Sequence, residues 1–205
     1  MDEISPKGYL KVILGPMFSG KTTELIRIFK RYSSCDKIKC CVINHKDDTR
    51  YDKTLMSSHS KEMIKAYNFK TLSELFNNNL HYNYDIFLIN EGQFFDDLYD
   101  AVDLLVNKFN KKLYICGLDG DYQRKKFGKL LDIIPLCDDV VKLKSICKNC
   151  NVRDGIFTHR LSDEKQQKLV GVSNYIPLCR LCYTQLNKIH YSQSKIISPN
   201  DIQMF

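Results

Sequence analysis

The sequence predicts an α/β protein: a P-loop parallel-sheet domain with helices on both faces, plus a small zinc-ribbon domain towards the C-terminal end. Three observations point there. Gly15-Pro16-Met17-Phe18-Ser19-Gly20-Lys21-Thr22 fits G-x-x-x-x-G-K-[ST], a loop whose backbone N–H groups wrap phosphates. Buried-strand runs alternate with helical apolar stripes through residue 143, the pattern of a parallel sheet with crossover helices. Two Cys-x-x-Cys pairs then follow, Cys147/Cys150 and Cys179/Cys182.

The elements follow in order. Tyr9-Leu10-Lys11-Val12-Ile13-Leu14 reads as a buried strand feeding the loop. Leu25, Ile28, Phe29 and Tyr32 recur at i, i+3, i+4, i+7, so a helix begins at the loop and aims its N-terminus at a bound anion. Ile38–Ile43 is a second strand, and the polar segment Asn44–Tyr51 lies beyond its end, where open α/β sheets bind ligands. Residues 52–62 show no period and read as a mobile loop. Leu72, Leu75 and Phe76 mark a short helix stopped by Asn77-Asn78-Asn79. Tyr84–Ile89 is a third buried strand, Leu98, Ala101, Val102 and Leu105 a further helix, and Lys112–Gly117 a fourth strand. Val140–Leu143 is expected to be the last strand.

Composition narrows the class. A length of 205 residues with 43% hydrophobic content suffices for one sizeable core and a small satellite, giving domains of 1–143 and 144–190 and a poorly ordered polar tail at 191–205. No apolar run approaches the ~20 residues of a membrane span. Met1–Pro6 lacks a basic flank and an apolar core, so the expectation is no secretory signal and a soluble, cytoplasmic protein without membrane partners. Net charge is +7, yet the 31 basic residues are interspersed with 24 acidic ones. The charge invites a nucleic-acid reading, and a solvated basic surface that attracts polyphosphate substrates explains it equally well.

The candidate chemistry sits at strand ends. Lys21 is placed to reach β/γ-phosphates and Thr22 to ligate Mg²⁺. The acidic residue expected at the tip of the neighbouring strand is instead Asn90, an acceptor without charge, so Mg²⁺ binding should be weaker than with Asp. Glu91 follows and is the candidate general base. The four paired cysteines, with 28 residues between the pairs, read as a closed structural Zn²⁺ site. The other five, Cys35, Cys40, Cys41, Cys116 and Cys137, read as buried free thiols. Met17, Phe94, Tyr122 and Phe127 are candidates for lining a base pocket, although for each taken alone a core position comes first.

The loop at 15–22, Asp48-Thr49-Arg50-Tyr51, Glu91-Gly92-Gln93-Phe94-Phe95, Leu118–Gly128 and both cysteine pairs occur in the order of one family. From about residue 9 to 184 the chain resembles the zinc-containing type II thymidine kinases of the cytosolic and poxvirus kind. The resemblance implies transfer of the ATP γ-phosphate to the 5′-hydroxyl of thymidine or deoxyuridine. It implies Glu91 as base, Arg50 beside the transferring phosphate and Lys21 on the phosphates. Gly15, Pro16, Met17, Phe18, Ser19, Gly20, Thr22, Asp48, Asn90 and Gln93 would complete the ATP and Mg²⁺ site. A lasso at about Ser162–Tyr175 would close over thymine, with Tyr175 on the deoxyribose and Met17, Phe94, Leu118, Tyr122 and Phe127 around the base. A homotetramer or dimer is implied as well.

Four departures stand out. Asn90 replaces the family's usual Asp, Tyr122 stands where Phe is common, Lys126 where a Pro is frequent, and Val170-Gly171 replaces a Gly-Gly. A segment between Arg153 and Arg160 runs one residue longer, which leaves a phosphate role for Arg160 open. Two other functions compete with the kinase. A nucleic-acid-dependent P-loop ATPase lacks room for a second motor domain. A catalytically impaired relative is motivated by Asn90 alone.

Overall fold

The structure, a computed structural model, describes residues 8–46, 55–57, 63–167 and 174–187. In chain order the first strand β1 (Tyr9–Leu14) leads through the loop to α1 (Lys21–Ser33) and β2 (Cys40–His45). A short hairpin of β3 (Leu55–Ser57) and β4 (Met63–Lys65) precedes β5 (Tyr67–Phe69). Then come α2 (Ser73–Asn77), α3 (Leu80–Asn83), β6 (Ile86–Ile89), α4 (Leu98–Asp103), β7 (Lys112–Gly117) and β8 (Asp139–Lys142). Six strands form one parallel sheet in the order β5-β2-β6-β7-β1-β8.

Strand parity explains the two-sided core. Successive side chains of a strand point to opposite faces, and a parallel sheet covered on both sides needs apolar residues at both parities. Leu10, Val12 and Leu14 of β1, Phe87 and Ile89 of β6, and Leu113 and Ile115 of β7 pack on one face with Leu75, Leu80, Leu98, Val102, Leu130 and Ile133. Ile13, Ile86, Leu88, Tyr114 and Cys116 point the other way, against Leu25, Ile26 and Ile28 of α1. Burying each such aliphatic side chain contributes about 1.5–3 kcal/mol. Right-handed crossovers dictate which connection covers which face. The steps β1→β2 and β2→β5 move one way along the sheet and place α1 and Ile64 on one face. The steps β5→β6, β6→β7 and β7→β8 move the other way and place α2, α3, α4 and the 3₁₀ segment Leu130–Leu136 on the opposite face.

Beyond the sheet, β9 (Ser145–Ile146) pairs with β10 (Asp154–Gly155), and β11 (Phe157–Arg160) with β12 (Tyr175–Leu178), before α5 (Arg180–Leu186). The sequence expectations need four corrections. Asn44 and His45 are not beyond the second strand but are its last residues, both buried, because pairing with β5 extends the ladder. The segment expected as a loop at 52–62 includes β3, paired with β4; its other residues lie outside those described. The strand expected at Val140–Leu143 is β8, Asp139–Lys142, the last of the sheet but not of the chain. Of the five isolated cysteines only Cys41 and Cys116 are fully buried, Cys35 being exposed and Cys40 and Cys137 half-buried. The 191–205 tail lies outside the described residues.

Candidate active site

Every strand of the parallel sheet ends on the same side, so β1, β2, β6 and β7 deliver their following residues to one rim. The loop after β1 is closed by its own groups. The Pro16 carbonyl accepts from the Ser19 hydroxyl at 2.9 Å and from Lys21 Nζ at 2.8 Å. Gly20 caps α1 at φ 83°, a left-handed conformation that disfavours side chains although space for a Cβ is open. The buried Lys21 ammonium thus lies folded against a backbone carbonyl that an arriving phosphate can displace. Phe18 also has positive φ, at 64°.

At the end of β6 the expected pair is adjacent. Thr22 Oγ1 donates to Asn90 Oδ1 at 3.3 Å, and the Cys116 thiol donates to the same oxygen at 3.1 Å. Asn90 Nδ2 donates to Asn44 Oδ1 at 2.9 Å, which turns the amide so that its oxygen faces Thr22. With its proton on Asn90, the Thr22 oxygen keeps lone pairs for a cation, so this pair can hold Mg²⁺ beside a bound triphosphate. Asp48 and Arg50 lie outside the described residues.

Glu91 is buried and left-handed, at φ 53°, at the start of the 3₁₀ turn Gly92–Phe94. Gln93 Nε2 donates to Glu91 Oε2 at 2.5 Å, while Gln93 Oε1 accepts from the Leu118 backbone at 3.0 Å. The two amide ends of Gln93 thus tie the carboxylate to the end of β7.

The remaining candidates fall into two groups. Phe94 and Phe127 meet edge to face at 5.6 Å, and the His45 ring also lies 5.6 Å from Phe94. Met17 and Phe127 are buried, and Leu118 and Tyr122 are half-buried. Tyr122 rides on a turn organised by Asp121, whose Oδ1 accepts from the N–H groups of Gln123 and Lys125 at 2.8 and 2.9 Å. Its hydroxyl, absent from a Phe, donates to the Lys165 carbonyl at 3.1 Å. The second group is Tyr175 with Arg160. They close the neck of the 161–174 loop, paired across β11 and β12. All five Arg160 N–H donors face this loop or Tyr175 and none faces the P-loop, so a phosphate role for Arg160 is set aside.

The four paired cysteines place their sulfurs within 4.8 Å of one another. A tetrahedral Zn–S site with bonds of about 2.3 Å has sulfur–sulfur edges near 3.8 Å, so a small contraction completes it. Backbone N–H groups of Arg153 and Val152 pull the Cys150 thiol down to about 6. Burial raises Cys147, but N–H groups of Cys150, Cys179 and Asn149 outweigh it and the net direction is down. At Cys182 the Asn149 amide lowers the pKa, yet burial and the neighbouring thiols prevail and push it up to about 11. The cluster favours some thiolates and resists collecting four of them, a balance that a divalent cation resolves.

One contact that sequence reasoning missed joins the cysteine module to the loop. Met17 N–H donates to Thr158 Oγ1 of β11 at 3.0 Å, across 141 residues of sequence. Nothing in the local pattern around Thr158 marks it; only its alternation within a short strand hints that it faces inward. Asn44 escaped for a similar reason, since its partner Asn90 lies two crossovers away.

Comparison with known proteins fits this geometry. The thymidine kinase family model matches residues 8–183. The thymidine kinase of Yaba monkey tumor virus is 39% identical over 184 residues, 89% of this chain and 98% of that protein. That of sheeppox virus is 39% identical over 177 residues, 86% of this chain and 97% of that protein. Human cytosolic thymidine kinase is 38% identical over 178 residues, 86% of this chain and 74% of that protein. With the phosphate loop, the carboxylate at the neighbouring strand end and the four-cysteine cluster all inside the matched span, the chain belongs to the thymidine kinase family.

Proposed function

We propose that this protein phosphorylates thymidine or deoxyuridine at the 5′-hydroxyl, with ATP as donor. The observation that carries the reading is the buried Glu91, held by Gln93 on the same rim as Lys21 and Thr22. The 5′-oxygen forms the new bond to the γ-phosphorus as the bond to the bridging β,γ-oxygen breaks and ADP leaves. The hydroxyl proton passes to the Glu91 carboxylate. Lys21 swings from the Pro16 carbonyl to the phosphates, and the α1 N-terminus and loop N–H groups neutralise the charge that spreads there. Arg50 and Asp48 join the phosphate side. Thr22 and Asn90 would hold Mg²⁺, which would supply further charge neutralisation at the phosphates.

Residues 1–143 form the ATP-binding domain, and 144–190 the zinc domain that presents the 161–174 loop to the nucleoside. Phe94, Phe127, Met17, Leu118 and Tyr122 enclose the base, Tyr175 meets the sugar, and Cys147, Cys150, Cys179 and Cys182 hold Zn²⁺. We assign the enzyme to the cytoplasm as a homotetramer or dimer, without nucleic-acid or membrane partners. Among the described residues no helix is long and apolar enough to cross a membrane. A phosphorylation assay with ATP and Mg²⁺ across the four natural deoxynucleosides should yield product from thymidine and not from deoxyadenosine or deoxyguanosine. ATP turnover that needs DNA or RNA and ignores nucleosides would replace this reading with the ATPase.

A further inference from the structure

Arg160 is one of the few charged side chains buried among the described residues, at 5% exposure, and it makes no carboxylate ion pair among the described contacts. Its charge is met by oxygens instead. Nε and Nη2 donate to the Tyr175 hydroxyl at 3.1 and 2.6 Å. Nη1 donates to the carbonyls of Glu164 and Gln166 at 2.9 and 2.5 Å, and Nη2 to that of Gln167 at 3.0 Å. A guanidinium carries five N–H donors, and all five are used. Its plane lies over the Tyr122 ring at 3.9 Å and near that of Tyr175 at 5.2 Å. The same limb of loop is tied from the other side, by Tyr122 Oη to the Lys165 carbonyl and by Gln167 Nε2 to Asp121 Oδ2 at 2.7 Å and to the Lys126 carbonyl at 3.1 Å.

We infer that Arg160 is a positioning residue for nucleoside specificity: it fixes residues 164–167 and the Tyr175 phenol before the nucleoside arrives, and it acts on no phosphate. The inference rests on the thymidine kinase reading for its substrate and on the hydrogen bonds alone for its geometry. With two Arg160 protons on its oxygen, the Tyr175 phenol meets any further partner as a donor, which suits a sugar oxygen. Such preorganisation lowers the ordering cost of binding the acceptor and leaves donor binding alone. Lysine cannot replace it, because a point charge with three donors spans neither the fan of carbonyls nor the stack on Tyr122.

The test combines Arg160→Lys kinetics with hydrogen exchange of the whole zinc-loaded enzyme. Thymidine KM should rise at least about tenfold, the scale of losing one charge-assisted hydrogen bond. ATP KM should stay within about twofold. Amides 161–167 should exchange faster in the absence of nucleoside, with exchange in β1, β6 and β7 unchanged. Tyr122→Phe, a milder change that removes the hydroxyl's bond to the Lys165 carbonyl and the one it accepts from Gln123 Nε2, should move the same amides and thymidine KM in the same direction by less, which keeps the test decisive if Arg160→Lys folds poorly. Unchanged exchange at 161–167 in both variants overturns the inference, as does an equal rise in both KM values. If the parent enzyme phosphorylates no nucleoside, the functional reading falls, and the exchange data still decide the positioning role.

Discussion

At the residue scale the centre of the site is a carboxylate with a fixed direction. Gln93 pins one Glu91 oxygen and anchors itself on the Leu118 backbone, which fixes the plane of the carboxylate. Glu91→Gln keeps size and burial but removes the proton acceptor, so kcat should fall by roughly 10²–10⁴, the usual worth of general base catalysis. ATP affinity, read by calorimetry, should be preserved; near-parent turnover would remove Glu91 as base. Asn90 makes a second, opposite test. Asn90→Asp puts a charged oxygen in place of the amide oxygen to which Thr22 donates. The Mg²⁺ concentration for half-maximal rate should drop several-fold, since a carboxylate binds a hard cation more strongly. The mutant carboxylate loses the donor that reaches Asn44, so Asn44 must turn its own amide to compensate. A Mg²⁺ titration that matches the parent's would show that Asn90 already serves as well as Asp.

At the scale of elements, much was legible because parity and turn chemistry are local. The run Lys112–Gly117 is a strand with the predicted bounds, and the stripe Leu25, Ile28, Phe29 marks α1 because both patterns are enforced by a core within a few ångströms. The boundaries of β2 escaped because ladder pairing with β5, not the apolar run, decides where it ends. Strand ends also carry constraints invisible in sequence. Gly117 closes β7 where Gln93 crosses it, and a Cβ there would lie 2.2 Å from Gln93 Oε1 and 2.7 Å from Leu130 Cδ2. Gly117→Ala should therefore displace Gln93 from Leu118 and from Glu91. We expect a stability loss of about 1–3 kcal/mol, typical of overpacking, in denaturant titrations. A fall in kcat should accompany it, with ATP KM little changed. Loss of stability without loss of kcat would mean that Glu91 holds its position without Gln93.

At the scale of the whole molecule the site is assembled from segments far apart in sequence, which is why its parts were legible and its assembly was not. The phosphate loop and the cysteine pairs announce themselves by spacing. The contact that joins them, Met17 N–H to Thr158 Oγ1, has no sequence signature, nor does the fan of Arg160 bonds that closes the 161–174 neck. Both belong to β11, and β11 is held by β12, whose far end runs into Cys179. The cysteine core is small: Cys147, Leu178, Cys179, Cys182 and Tyr183, with Phe157 and Ile176 packed against it. A cluster of that size buries too little apolar surface to order some forty residues unaided, so bound metal should supply much of its folding free energy. The parallel sheet has its own two-sided core and does not depend on it. Removing zinc by chelation, or weakening the site by Cys150→Ser, should therefore melt the chain selectively. Amides across 145–186 should lose exchange protection while those of β1, β6 and β7 keep it. Thymidine KM should rise by more than about tenfold and ATP KM by far less, because Lys21 and Thr22 open α1 and Asn90 follows β6, and the described bond from the phosphate loop to the cysteine module is that of Met17. Loss of protection throughout the sheet would show instead that the two parts fold as one cooperative unit. Retained protection in both would show that the four thiols hold the module without a metal.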